Sequence, residues 1–224
     1  MMLSQKSWSR RIIMYRCLKA FLVCLCVVIA PITNADEKIA TEFNKKLNKI
    51  NTFLEENHKK ALQEPNLLIG FVNQELLEVW SARNTIRAML GTSRWEQLTD
   101  SEANVLIKTY ENTIRRYLFE VLQQYQGQTA SVESVRLNDK GNKGWLRVRL
   151  ESPSFPPLNV DLKIYKEQEQ WTVYDFSFQG ISFVKMKRGF FRDTFDKKGV
   201  VGVVAELREK NKEFNQAMAV ASDE

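Results

Sequence analysis

Four segments with the alternation of β-strands lie between two blocks of helical periodicity, and this order limits the possible folds more than any other feature. The segments are ASVESVRL at 130–137, WLRVRL at 145–150, LNVDLKIY at 158–165 and a run that begins at Trp171. Short turn sequences such as NDKGNKG join them, which indicates antiparallel pairing. Helices before and after a meandering sheet are typical of the α+β class. We expect helices packed on a curved four-stranded antiparallel sheet, which together form a cone-like cavity.

The helices are predicted from apolar side chains that recur every three or four residues. They comprise a first helix with the stripe Ile39, Phe43, Leu47, Ile50 and Leu54, two at 66–80 and 81–90, one from Thr99 to about 126, and two after Gly180 that divide at Gly199. Thr99 and Glu102 form a capping box, because each can satisfy the backbone N–H of the other at a helix start. The predicted order is therefore four helices, four strands and two helices.

Residues 1–35 have the composition of a secretory signal peptide. Basic residues precede AFLVCLCVVIA, an apolar run of eleven residues from Ala20 to Ala30, and Thr33 and Ala35 supply the small residues of a cleavage site. A helix that spans a membrane needs about 20 apolar residues, so we expect cleavage rather than anchoring. The rest of the chain is predicted to form one domain at 36–216 with a flexible tail at 217–224.

Removal of this segment changes the charge and the cysteine content. The first 35 residues hold five basic and no acidic residues, so the net charge falls from +6 to +1. A nearly neutral domain gives no reason to expect a nucleic-acid partner. Cys17, Cys24 and Cys26 are lost as well, which excludes disulfides and cysteine metal sites from the mature chain. An exported protein without disulfides fits a bacterial periplasm.

The residues needed for common kinds of catalysis are scarce. His58 is the only histidine, and its polar neighbours predict a solvated surface position. No nucleophile elbow, phosphate-binding glycine loop or zinc-protease motif is present. Asp175 stands alone among aromatic residues, and burial there would suit a general base. A lone aspartate in a strand more often caps backbone or pairs with a cation, so no enzyme is expected.

The segment WTVYDFSFQGISFV at 171–184 carries bulky side chains on both faces of a predicted strand. Simple alternation places Trp171 and Val173 on one face and Tyr174, Phe176 and Phe178 on the other. One face is expected to pack on helices. The other lines a cavity, or else helices cover both faces of a solid core. The sequence pattern leaves these two interpretations open.

The same segment closely resembles the C-terminal signature of the MlaC family, also called the toluene-tolerance family. The matching pattern is W-x-V-Y-D-F-x-x-x-G-I-S-F-V, and Arg188 and Phe191 fall where the family has an arginine and an aromatic ring. Upstream, Leu90-Gly91, Trp95, Thr99, Tyr117, Tyr125 and Gly127 follow its L-G-x-x-W … T … Y … Y-x-G helix. Lys187 and Ala103 depart from common family residues, so contacts with partners on the helix surface are expected to differ.

The resemblance implies a cone-like fold related to nuclear transport factor domains and a function in lipid transport. It implies a periplasmic carrier that holds phospholipid as cargo, with no cofactor. Such a carrier shuttles lipid between an outer-membrane lipoprotein and porin complex and an inner-membrane ABC transporter complex, and so maintains outer-membrane lipid asymmetry. Two other functions stay open: an enzyme on the same fold that uses Asp175 as a general base, and an envelope adaptor that binds no lipid.

The acyl chains are predicted to contact apolar side chains on the sheet face opposite Arg147, Arg149, Asp161 and Lys163. The predicted lipid-binding residues are Leu90, Tyr117, Leu146, Val148, Leu150, Val160, Leu162, Ile164, Tyr174, Phe176, Phe178, Ile181 and Phe183. Arg147, Arg149, Lys185, Lys187 and Arg188 form either a basic mouth for a lipid phosphate or, as we favour, a solvated basic surface.

Overall fold

The computed structural model describes residues 34–222, with side chains described from residue 36 to residue 219. The helices are α1 (Asn34–Gln63), α2 (Pro65–Phe71), α3 (Ala82–Leu90), the short α4 (Thr92–Trp95), α5 (Asp100–Gln123), α6 (Phe183–Lys210) and α7 (Lys212–Ser222), and a π-helical turn (Val72–Leu76) continues α2. Residues 1–33, which hold nearly all of the predicted signal peptide, lie outside the described residues. In the described part of the chain, no helix is long and apolar enough to cross a membrane.

The strands form one antiparallel sheet in chain order. They are β1 (Thr129–Leu137), β2 (Lys143–Glu151), β3 (Leu158–Glu167), β4 (Gln170–Phe178) and β5 (Ile181–Ser182). The α+β class with helices on an antiparallel sheet is confirmed, but the sheet has five strands rather than four. The sequence prediction missed β5 because it has only two residues. Gln179 and Gly180, both with positive φ, form the tight turn that pairs it with β4.

A register shift divides β4 and corrects the predicted orientation of its side chains. Phe176 lies opposite Leu162, whereas Val173 lies opposite Ile164, so one extra residue of β4 is accommodated between them. Residues directly opposite each other in an antiparallel pair share a face. Val173 therefore lies on the same face as Phe176, and the prediction that these two residues face opposite ways is wrong. We call this side, with Leu146 and Ile164, the inner face, and the side with Arg147 and Lys163 the outer face.

Helix α1 runs along the free edge of β1. The side chain of Asn51 donates to the Ala130 carbonyl (2.9 Å) and accepts from the Ala130 N–H (3.0 Å). Asn44, two turns earlier, accepts from the Val132 N–H (2.8 Å). These bonds satisfy backbone groups that an unpaired edge strand leaves exposed. The apolar stripe of α1 is thereby fixed over the sheet, where Ile39 and Phe43 join the buried residues of the inner face.

The buried side chains form two large clusters. The helix cluster is built by α3, α5 and α6 and includes Met89, Leu106, Tyr110 and Val203, each almost completely buried. The sheet cluster joins Ile39 and Phe43 of α1 to the inner face: its buried members are Ile39, Phe43, Leu146, Val148, Ile164, Trp171 and Val173. A smaller cluster of Ala61, Leu68 and Phe119 holds the end of α1.

Several helix boundaries follow the sequence. The Thr99 capping box is present, with reciprocal bonds between Thr99 and Glu102. Gly199 (φ 63°) interrupts helical geometry inside α6, where a break is predicted. The predicted helix at 66–80 is instead α2, the π-helical turn and further turns that end at Trp80, which forms an isolated β-bridge with Val173. Helix α7 includes the first residues of the predicted tail, whose flexibility stays a prediction.

Candidate functional site

One end of the inner face is closely packed. Leu146 and Ile164 are completely buried, and Val148 is 5% exposed. These side chains contact the sheet cluster that α1 covers. Buried side chains of this kind pack at about the density of organic crystals. We call this part of the inner face the packed end.

The opposite end of the same face is open. Val160 lies opposite Phe178, and Phe178 lies opposite Ile181, so the three side chains share the inner face with Leu158. Phe178 is 39% exposed and Ile181 is 64% exposed. None of these four residues belongs to any of the three buried clusters found among the described residues. We call Leu158, Val160, Phe178 and Ile181 the open corner, which is an apolar surface that water now contacts.

Aromatic rings connect the open corner to the helices. Phe176 stacks on Phe183 with ring centroids 5.0 Å apart, and it meets Trp80 edge-on at 6.3 Å. Tyr117 of α5 contacts Phe183 edge-on at 6.0 Å. We call Trp80, Tyr117, Phe176 and Phe183 the aromatic junction. Such rings expose large flat apolar surfaces, and each of these four is only partly buried.

Trp80 is held in the junction by the chain on either side of it. The Val173 N–H donates to the Val79 carbonyl (2.7 Å), and the Ser81 N–H donates to the Val173 carbonyl (2.8 Å). The indole N–H of Trp80 donates to Thr85 Oγ1 (3.0 Å). Trp80 packs against both large clusters. Helical periodicity places Trp80 at the end of a predicted helix, and only the tertiary pairing with Val173 reveals its position.

Asp175 is an anchor between β4 and α6. Its carboxylate is completely buried and accepts from the Ser182 hydroxyl (2.6 Å), the Val184 N–H (2.9 Å) and the Lys163 ammonium (2.8 Å). Three donors on a buried carboxylate account for its setting without any substrate. This arrangement removes the reason to regard Asp175 as a general base. It also fixes Phe183, the residue between two of these donors, at the start of α6.

All but one of the predicted lipid-binding residues fall into four groups. Leu146, Val148 and Ile164 lie in the packed end, and Leu150 and Leu162 pack beside them. Leu90 is buried in the helix cluster. Val160, Phe178 and Ile181 form most of the open corner, while Tyr117, Phe176 and Phe183 belong to the junction. Tyr174 lies apart from all of them, beside Trp145 and Lys163 in a pocket on the outer face, so its predicted place beside Phe176 is wrong.

The residues of the predicted basic mouth contact different partners, and two of them form ion pairs with carboxylates. Arg147 donates two hydrogen bonds to Asp161 on the outer face, and Arg149 pairs with Glu151. Lys187 lies over the Phe183 ring at 5.7 Å. Arg188 faces a different pocket.

His58, predicted as solvated, is half-buried: its Nε2 lies 3.2 Å from the Gln123 carbonyl, and its ring meets Tyr125.

Two features of the helix side bear on the chemistry of the site. The Tyr110 hydroxyl is buried without a hydrogen-bond partner among the described residues, and burial raises the pKa of this tyrosine far above its ordinary value. Tyr110 is therefore a neutral part of the apolar core. Within residues 34–222, no cluster of three histidine, cysteine, aspartate or glutamate side chains is arranged to bind a metal ion.

Comparison with known families identifies the chain. Its sequence matches the family described as MlaC protein over residues 44–209. The chain belongs to the MlaC family. The match begins in α1 and ends in α6, so it includes the whole sheet, the open corner and the aromatic junction of this MlaC-family protein. No curated protein matches the sequence.

A solved structure shares the fold. It is the phospholipid-binding protein from Ralstonia solanacearum in complex with a phospholipid, which superposes with a TM-score of 0.61. The two sequences are 21% identical over 81% of this chain and 98% of that one. At this identity the likeness shows the fold alone, and it extends over nearly all of the other protein.

Proposed function

We propose that this MlaC-family protein binds phospholipid and carries it through the periplasm. The observation that supports this most directly is the open corner, where Phe178 and Ile181 leave apolar surface exposed beside the aromatic junction. Large exposed apolar groups on a folded domain mark sites for apolar ligands or partners. The Ralstonia protein of the same fold was solved with a bound phospholipid.

A carrier needs such a surface because acyl chains are costly to expose. Each methylene that leaves an apolar environment costs about 0.8 kcal/mol, so a sixteen-carbon chain costs about 12 kcal/mol in water. Rings and branched side chains at the open corner and the junction lower this cost by covering the chain. We expect the acyl chains to enter between Phe178 and Ile181 on the sheet and Tyr117 on α5. The packed end then forms the floor of the site.

The partners and the location extend this proposal. We propose a periplasmic carrier without catalytic activity that exchanges lipid with an inner-membrane ABC transporter complex and an outer-membrane lipoprotein and porin complex. Membership of the MlaC family supports this route. We expect the purified protein to bind the isolated components of both complexes in a pull-down assay, and failure with both would leave a carrier with other partners.

The lipid itself tests the central part of the proposal. The protein is purified without detergent, extracted with organic solvent and analysed by mass spectrometry against a cysteine-free periplasmic protein of similar size. We expect phospholipid at a ratio near one molecule per protein in this sample only. An extract without phospholipid would contradict lipid binding and favour an adaptor.

A further inference from the structure

A basic pocket lies between the end of α3, the first half of α6 and the outer face of the sheet. Its volume is about 550 Å³. Six side chains give it its character: Arg87, Arg188, Arg192, Lys143, Tyr165 and Tyr174. The residues that line it include no carboxylate. Four cations and two phenols around one pocket are the donor set of an anion site.

Arg188 and Arg192 lie one helical turn apart on α6 and are only partly satisfied. Arg188 Nη2 donates to the Ala88 carbonyl (3.4 Å), and Arg192 Nε donates to the Met89 carbonyl (3.3 Å). Arg188 Nε is buried and has no acceptor among the described residues. A guanidinium carries five N–H donors, and a buried donor without a partner is costly. Contacts with the last carbonyls of α3 therefore use only some of the N–H donors of Arg188 and Arg192.

The backbone at Gly91 leaves room for the Arg192 guanidinium. Gly91 has φ +86°, and a Cβ atom built there would lie 2.8 Å from Arg192 Nη2. A side chain at this position would push Arg192 out of the pocket. Of the nearby carboxylates, Asp196 accepts from Arg94 (2.7 Å) and also interacts electrostatically with Arg192, and Glu167 accepts from Asn84 (3.4 Å).

The phenols and the lysine complete the donor set. The Lys143 ammonium lies over the Tyr165 ring, 5.4 Å from its centroid, and both residues line the pocket. The phenol of Tyr174 is a hydrogen-bond donor at neutral pH, and burial together with the charge of Asp175 raises its pKa further. An anion in the pocket meets hydrogen-bond donors from α3, α6, β2, β3 and β4.

We propose that this pocket binds the phosphoryl group of a small ligand, or an oxyanion of the same shape, through Arg188 and Arg192. Arginine suits this group because its planar fork donates two parallel hydrogen bonds to phosphate oxygens. The site is separate from the proposed acyl-chain site, because Tyr165 and Tyr174 of the outer face line this pocket whereas Phe176 lies on the inner face. The proposal therefore does not depend on lipid binding at the open corner.

Titration of the full protein, freed of lipid, tests the pocket. Inorganic phosphate is added in one series, and dihexanoyl phosphatidylglycerol below its micelle concentration in another, while backbone amide NMR shifts are followed. We expect shifts at Gly91 and in the first turns of α6. Loss of one charge-assisted donor should weaken binding roughly tenfold or more in Arg188→Gln and Arg192→Gln. Arg208→Gln, an exposed arginine at the far end of α6, should bind as the unaltered protein does.

The two series distinguish the sources of the phosphoryl group, and the variants decide the proposal. Binding of inorganic phosphate that both pocket variants weaken supports a general phosphate site. Binding of the short-chain lipid alone, again weakened by both variants, supports a site for a lipid headgroup. Arg188→Lys keeps the charge and controls for loss of fold, which thermal unfolding also monitors. Absence of binding in both series, or equal binding in all variants, would overturn the proposal. Co-purified lipid is measured in the same samples and tests the carrier function separately.

Discussion

The two ends of the inner face of the sheet differ in how their apolar residues are used. At the packed end, Leu146 and Ile164 are completely covered by neighbours that include Ile39 and Phe43 of α1. At the open corner, Phe178 and Ile181 belong to the same face but remain exposed. Both ends continue the same alternating strands, and the sequence pattern is equally apolar at each. The difference arises from what lies above them, because α1 covers one end only.

This contrast shows that one apolar sheet face can serve two purposes: the fold buries one part of it and leaves another part exposed. Residues that are already buried stabilise the fold, since each large apolar side chain contributes about 1.5–3 kcal/mol when it leaves water. Residues of the open corner gain that energy only when something else covers them. An acyl chain that covers the corner gains affinity from surface that the fold leaves unused.

The contrast between the packed end and the open corner depends on the aromatic junction, which β4 and α6 hold in place. Asp175 links these two elements. Asp175→Ala removes a buried acceptor shared by Ser182, Val184 and Lys163. We expect a loss of about 3 kcal/mol or more in the free energy of unfolding, measured by urea denaturation. Asp161→Ala, which breaks an exposed pair with Arg147, should cost about 0–1 kcal/mol. Equal effects of the two changes would show that Asp175 is not an anchor.

Truncation at each end sharpens the contrast directly. Leu146→Ala leaves a cavity in the packed end and should lower the free energy of unfolding by about 2–5 kcal/mol. Ile181→Ala removes exposed surface at the open corner and should change it by no more than about 0.5 kcal/mol. Chemical denaturation of both variants under one set of conditions gives the comparison. Similar losses for both would mean that the corner is covered in solution.

Enlargement gives the opposite test. Val148→Trp overpacks the packed end and should cost about 1–3 kcal/mol of stability. Val160→Trp adds a ring to the open corner, so the melting temperature should hold while the phospholipid extracted per protein falls sharply. The sequence analysis predicts acyl-chain contact for both valines. If a Val148→Trp protein stays stable but loses lipid, the lipid site extends into the packed end, and the proposed difference between the two ends is wrong.

A helix start far from both ends provides the smallest effect. Thr99→Ala removes the N-cap of α5 and should lower the free energy of unfolding by about 1 kcal/mol. Because Thr99 contacts neither the open corner nor the junction, the amount of bound phospholipid should stay unchanged. A fall in lipid content here would indicate that lipid binding follows global stability rather than the open corner.

The sequence predicted the elements well and the sites less completely. Alternation in β2 and β3 correctly placed Leu146, Val148 and Leu162 on one face, because period-2 patterns follow from strand geometry alone. It failed in β4, where a one-residue shift moves Val173 to the other side and no local pattern marks the extra residue. Trp80 was missed for a related reason: its position depends on a pairing across almost a hundred residues.

Fluorescence of two tryptophans reports where the acyl chains of a bound phospholipid lie. Trp80 lies in the aromatic junction, whereas Trp145 lies on the outer face and is 42% exposed. The protein is loaded with phospholipid that carries bromine on its acyl chains, and quenching of the emission is measured in Trp80→Phe and Trp145→Phe, each made in a chain whose tryptophans other than these two are also replaced by phenylalanine. If the acyl chains lie against the inner face, Trp80→Phe should lose most of the quenching and Trp145→Phe should retain it. Quenching that survives in Trp80→Phe and disappears in Trp145→Phe would contradict the proposed site.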